Sequence, residues 1–91
     1  MKFVFRSSFD KCYKKLNPAD HDSVDSAIEG LARYFQNKLK PQGLGLKKLQ
    51  EDFWEIRASI RIRIIFSFQE EVVSFVLVGN HEDVKRFLIS H

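Results

Sequence analysis

Cysteine occurs once in the 91 residues, at Cys12, proline twice and glycine four times. A single thiol builds no disulfide framework, and no Cys-x-x-Cys or Cys/His ligand spacing is present. The chain is therefore expected to need no metal or other cofactor and to work in a reducing compartment, with the cytoplasm as the default. No apolar run approaches the about 18 residues of a membrane span, and the opening MKFVFRSSFDK lacks the long apolar segment of a secretory signal. No membrane association is expected. There is also no internal repeat, low-complexity tract or linker. With 44% hydrophobic residues, one domain over residues 1–91 can bury a core without cross-links.

What is present is charge, unevenly placed. The net charge of +3 is modest. Between positions 36 and 63, however, Lys38, Lys40, Lys47, Lys48, Arg57, Arg61 and Arg63 face only Glu51, Asp52 and Glu55, a local excess of +4. Such a stretch suits either a solvated face or a polyanionic partner, nucleic acid being the commonest.

Hydrophobic periodicity supplies the architecture. Residues 2–6 alternate as a short strand, and Ser7 or Ser8 offers a cap for a helix with apolar positions Phe9, Cys12, Tyr13 and Leu16. Asn17 and Pro18 end that helix and start the next, whose stripe is Val24, Ala27, Ile28, Leu31, Phe35 and Leu39. A loop over residues 41–45 leads to a possible edge strand at 46–49, protected from aggregation by Lys47 and Lys48. Then Trp54, Ile56 and Ala58 alternate with Glu55 and Arg57. In the next run Ile60, Ile62, Ile64, Phe66 and Phe68 alternate with Arg61, Arg63, Ile65 and Ser67. That period of two belongs to half-buried antiparallel strands. Residues 72–78 are almost wholly apolar, as an inner strand would be, and residues 81–89 read as a short closing helix. The expected fold is an α+β single domain in the order β-α-α-β-β-β-β-α, an antiparallel sheet with its helices packed on one face. The opposite face would stay open for a ligand, carrying Arg57 and Arg63 with Glu55 and Arg61 nearby.

Three segments in this order, L-x-x-x-F-W-x-x-R over 49–57, I-R-I-I-F over 62–66 and V-G-N-H-E-D over 78–83, resemble the RelE/ParE superfamily of toxins from type II toxin–antitoxin modules. The resemblance spans residues 1–88 and is strongest in the second half. It implies a toxin held inactive by a cognate antitoxin, the complex binding operator DNA through that antitoxin. RelE-like branches cleave messenger RNA in the ribosomal A site without metal, whereas ParE-like branches inhibit DNA gyrase and do no chemistry. A third outcome is a degenerate toxin that only binds its antitoxin.

The RelE-like reading implies a metal-independent endoribonuclease. Such cleavage needs a base for the 2′-hydroxyl proton, cations for the phosphorane-like transition state and an acid for the leaving 5′-oxygen. On the resemblance, Arg63 stands where the branch carries its strand arginine, Arg57 takes the basic position of the preceding strand, and His81 matches the histidine of the YafQ-like ribonucleases. Glu55 is either the general base or a salt partner for Arg57 or Arg63. Lys47 and Lys48 either hold RNA phosphates or solubilise an edge, and Arg61 is a further RNA contact or a surface charge near a hairpin turn. Two RelE features are missing: the paired lysines on the Trp54–Arg57 segment are replaced by Glu55 and Arg57, and Phe87 stands where a C-terminal tyrosine would. His21 and His91 are assigned no role, and Trp54 reads as core. Truncating Arg63 is expected to leave stability nearly unchanged.

Overall fold

The computed structural model describes residues 1–37 and 44–90. Leu39 of the expected helix stripe, residues 41–43 of the expected loop, and Lys38, Lys40 and His91 lie outside the described residues.

The elements follow the expected order: β1 (Lys2–Phe5), α1 (Ser7–Lys14), α2 (Pro18–Asn37), β2 (Lys47–Lys48), β3 (Phe53–Arg57), β4 (Arg63–Gln69), β5 (Val72–Gly79) and α3 (His81–Ile89). They build one five-stranded sheet in the order β1-β5-β4-β3-β2. Strands β2 to β5 pair antiparallel, but β1 lies parallel to β5, with Phe3 opposite Val73 and Phe5 opposite Phe75. The sheet is therefore mixed, a correction to the antiparallel expectation. Its cause is topological: two helices return the chain from β1 to the far side of the sheet, and alternation within a strand carries no record of its partner's direction.

Why these residues form these elements is mostly local. Asn17 caps α2, its Oδ1 accepting the Asp20 backbone N–H at 2.8 Å, and Pro18 fills the first helical position. At α1 the expected serine cap does not form. Arg6 takes the cap position without a side-chain bond, while Ser8 Oγ donates to the Val76 carbonyl 2.7 Å away. That carbonyl belongs to a bulge, since Ile65 pairs with Leu77 but Phe66 with Phe75, leaving Val76 extra on β5. Serine is thus spent on the bulge of the inner strand β5 instead of on its own helix.

One side of the sheet holds the main core. Phe9 of α1 and Val24, Ala27 and Leu31 of α2 pack on Ile56, Ile62, Ile64, Phe66, Val73, Phe75 and Val78. The other side was expected to be open, and it is partly covered by α3. Ile65, of opposite parity to Ile64 and Phe66, is fully buried, Val84 of α3 is buried, and the Phe53 and Phe87 rings meet edge-on at 5.1 Å. Helices therefore flank both faces. Ile60, expected in the core alternation, is 87% exposed. It lies in the turn before β4, where Ser59 Oγ accepts the backbone N–H groups of Arg61 and Ile62.

The β4–β5 turn is strained. Its two central residues, Glu70 and Glu71, have φ of 50° and 66°, the two left-handed positions of a type I′ hairpin, which favours Asn-Gly. Glu70→Asn with Glu71→Gly should raise stability by about 1–2 kcal/mol, a melting-temperature gain of roughly 4–8 °C per kcal/mol at this size. Since the turn is at the far end of β4 and β5 from Arg63 and Gly79, activity should not change. A thermal melt with no gain would show that the two glutamates are relaxed there.

Candidate functional site

At the end of the sheet where β4 begins and β5 finishes, four pieces of chain converge. Gly79 pairs with Arg63, and Arg63 pairs with Arg57 across the next strand. Asn80 then caps α3: its side chain accepts the Asp83 backbone N–H, and the Asp83 carboxylate accepts the Asn80 N–H, each at 2.9 Å. This box turns the chain sharply. A Cβ on Gly79 would lie 2.6 Å from Asp83 Oδ2 and 2.8 Å from Asp83 Cβ, so glycine is required for the helix to start so close to the strand. His81 follows as the first residue of α3, exposed to solvent.

Opposite it stands the elbow between α1 and α2. Tyr13 Oη donates to Asp25 Oδ1 at 2.8 Å, the His21 ring stacks on Tyr13 at 4.4 Å, and His21 Nε2 bonds the Tyr13 carbonyl at 2.7 Å. The bond to Asp25 holds the Tyr13 hydroxyl above its ordinary pKa of 10.0. Its stabilising effect is thus present below the ordinary value and disappears as pH rises through the raised one. This clamp fixes the start of α2.

Between elbow and α3 runs a cleft of about 430 Å³ lined by Asn17, Asp20, Ile60, Arg61, Ile62, Arg63, Asn80 and His81. The structure thus brings together Arg61, Arg63 and His81 of the expected site residues. The first turns of α2 and α3 adjoin the same cleft, and helix N-termini favour anions. Asp20, in the first turn of α2, also lines it.

The remaining expected residues are placed elsewhere. Glu55 is 5% exposed on the face that α3 covers, with its Oε2 3.4 Å from Arg63 Nη1. Of its two proposed partners it takes Arg63. Among the described residues Arg63 Nε is buried without a hydrogen-bond partner. Arg57 is exposed beyond the cleft, packed beside Gly45, where an added Cβ would come within 3.3 Å of Arg57 Cβ. Gly45 has φ of 63°, so both backbone and space call for glycine. Lys47 pairs with Glu55 and Lys48 with Trp54, so the two lysines point to opposite faces. Lys48 Nζ stands 5.9 Å from the Trp54 ring centroid, and Trp54 packs against the main core as expected. Truncation of Arg63 is no longer expected to be neutral, because it would leave a buried carboxylate alone. Among the described residues no three His, Cys, Asp or Glu side chains are grouped as metal ligands, and no helix is long and apolar enough to cross a membrane.

No family model matches the chain, and no curated protein does. Solved structures do match. A chain of the RelB-RelE antitoxin-toxin complex from Methanococcus jannaschii superposes with a TM-score of 0.70 at 16% identity, over 92% of this chain and 96% of that one. The YoeB dimer from Staphylococcus aureus gives 0.67 at 15%, over 89% and 97%. YafQ from E. coli gives 0.65 at 12%, over 91% and 96%. The chain therefore has the RelE-like fold over about nine-tenths of its length.

Proposed function

We propose that this chain is the toxin of a type II toxin–antitoxin pair and an endoribonuclease of the RelE/YafQ-like kind, cutting messenger RNA in the ribosomal A site. The observation that carries the reading is the meeting of Arg61, Arg63 and His81 in one cleft. Arg63 is the cation for the scissile phosphate. Its contact with Glu55, at 3.4 Å, is longer than the 2.7–2.9 Å of a tight charge-assisted bond, so the guanidinium keeps donors for a second anion. Glu55 fits a positioning role better than that of base, since it is buried and already faces a cation. His81 is the proton-transfer group. Attack by the 2′-oxygen, which gives up its proton, on phosphorus forms a 2′,3′-cyclic phosphate while the 5′-oxygen departs with a second proton; His81 either takes the first proton or supplies the second, and water exchanges the other. A rate that falls as pH rises identifies it as acid; one that falls as pH drops identifies it as base. Arg61 and Arg57 supply outer phosphate contacts.

The lysines divide by face. Lys47→Ala should reduce the salt slope of ribosome binding by about one, as loss of a phosphate contact does. Lys48→Ala should leave the slope alone and cost about 0.5 kcal/mol of stability through the Trp54 ring. Binding titrations at several salt concentrations, beside melts, check both, and equal slopes for the two variants would contradict the assignment.

The partner is a small antitoxin protein, without which a chain of this activity would poison its own cell. Primer extension on a defined message translated with purified protein tests the function. Cuts confined to A-site codons support it. An intact message together with loss of gyrase supercoiling would move the chain to the ParE-like class, and neither effect would leave a protein that binds only its antitoxin.

A further inference from the structure

A second groove begins where the cleft ends. It has a volume of about 480 Å³, within the size range of ligand sites, and runs between α1 and α3 over the end of β5. Ile62 and Asn80 line both spaces, so groove and cleft adjoin across that shared ridge. Its floor is apolar, formed by Ile62, Leu77 and Phe87, and its walls carry Lys15 from the end of α1 and Arg86 from α3. Arg86 holds Asp83 in an ion pair, whereas Lys15 is exposed and forms no ion pair among the described residues. Seen from His81, the path leads from a pair of arginines over an amide to an apolar trough flanked by two cations.

Resting on the ribonuclease reading above, we propose that this groove is a subsite for the nucleotide that follows the scissile dinucleotide in single-stranded RNA. Lys15 and Arg86 hold its phosphate, and its base lies on the apolar floor. The chemistry suits the ligand: an unpaired nucleotide presents one flat apolar face and one anion, and phosphate contacts position a strand without reading sequence. Sequence reading missed both residues because Lys15 is separated from the Arg57–Arg63 segment by more than forty positions and Arg86 looks like an ordinary last-turn cation.

The experiment uses ribosomes programmed with two messages, one ending at the scissile dinucleotide and one extended by three nucleotides, cut in single turnover over a range of toxin concentrations. For the parent protein, extension should lower the half-saturating concentration about tenfold, the effect of one charge-assisted contact. For Lys15→Ala with Arg86→Ala that gain should vanish while the maximal rate stays at the parent level. A double variant that gains as much from extension as the parent overturns the subsite and leaves the groove to an acidic segment of a protein partner. A maximal rate that falls with the half-saturating concentration unchanged also overturns it, because a subsite acts on binding. If the parent cuts neither message, the ribonuclease reading itself fails, and the subsite with it.

Discussion

Alanine at His81 should lower single-turnover cleavage of programmed ribosomes by about 10²–10⁴ and leave the melting transition where it was. The size follows from the role: a side chain that moves a proton in the transition state is worth that much, and Phe87, without a hydroxyl, offers no substitute in α3. The absence of a stability effect follows from position. His81 is exposed, and the cap of α3 is made by Asn80 and Asp83, whose reciprocal bonds do not involve it. Gln in place of His81 separates chemistry from contact, because an amide can hydrogen-bond a phosphate but exchanges no proton near neutral pH. Parental rates in the alanine variant would take His81 out of the chemistry.

Arg63→Ala should combine two losses. Cleavage falls by about 10²–10³ as a stabiliser of developing phosphate charge disappears. Stability falls as well, by about 1–3 kcal/mol, because the Glu55 carboxylate is left buried without its cation. The two can be pulled apart. Adding Glu55→Gln to Arg63→Ala removes the stranded charge and should restore most of the melting temperature while cleavage stays lost. Glu55→Gln alone keeps Arg63 in place and should retain most of the rate. A rate loss there as deep as in His81→Ala would make Glu55 the base and reverse its assignment as a positioning residue.

Much of this architecture was legible because it is written locally. The helix stripe of α2, the Asn17–Pro18 start, the alternation of β3 and β4 and the closing helix α3 are set by neighbours a few residues apart. What escaped is long-range. The parallel seat of β1 depends on where two helices deliver the chain, which Lys2–Phe5 cannot encode. Ile65 was the trace of the second packed face: an apolar residue at a polar-parity position, buried because α3 lies over it. Ile60 misled for the opposite reason, continuing an alternation that the Ser59 turn interrupts. In the cleft, Arg63 and His81 were reachable through family resemblance, whereas Asp20 joins them only because the α1–α2 elbow folds beside the β4 turn. Glu55 could not be resolved from sequence, since one residue on a strand can face either of two arginines until register and burial are known.

If RNA is cut through its own 2′-hydroxyl by a protein cation and imidazole, as proposed, the ends of the cut RNA report it directly. Cleavage of a programmed ribosome, with the metal ions that hold the ribosome together supplied but transition metals chelated, should proceed at the parental rate. It should leave a 5′-hydroxyl on one fragment and a 2′,3′-cyclic phosphate on the other. A message carrying a single 2′-deoxynucleotide at the cut position should resist. Fragments with a 5′-phosphate and a 3′-hydroxyl, or undiminished cutting of the deoxy-substituted message, would contradict the account.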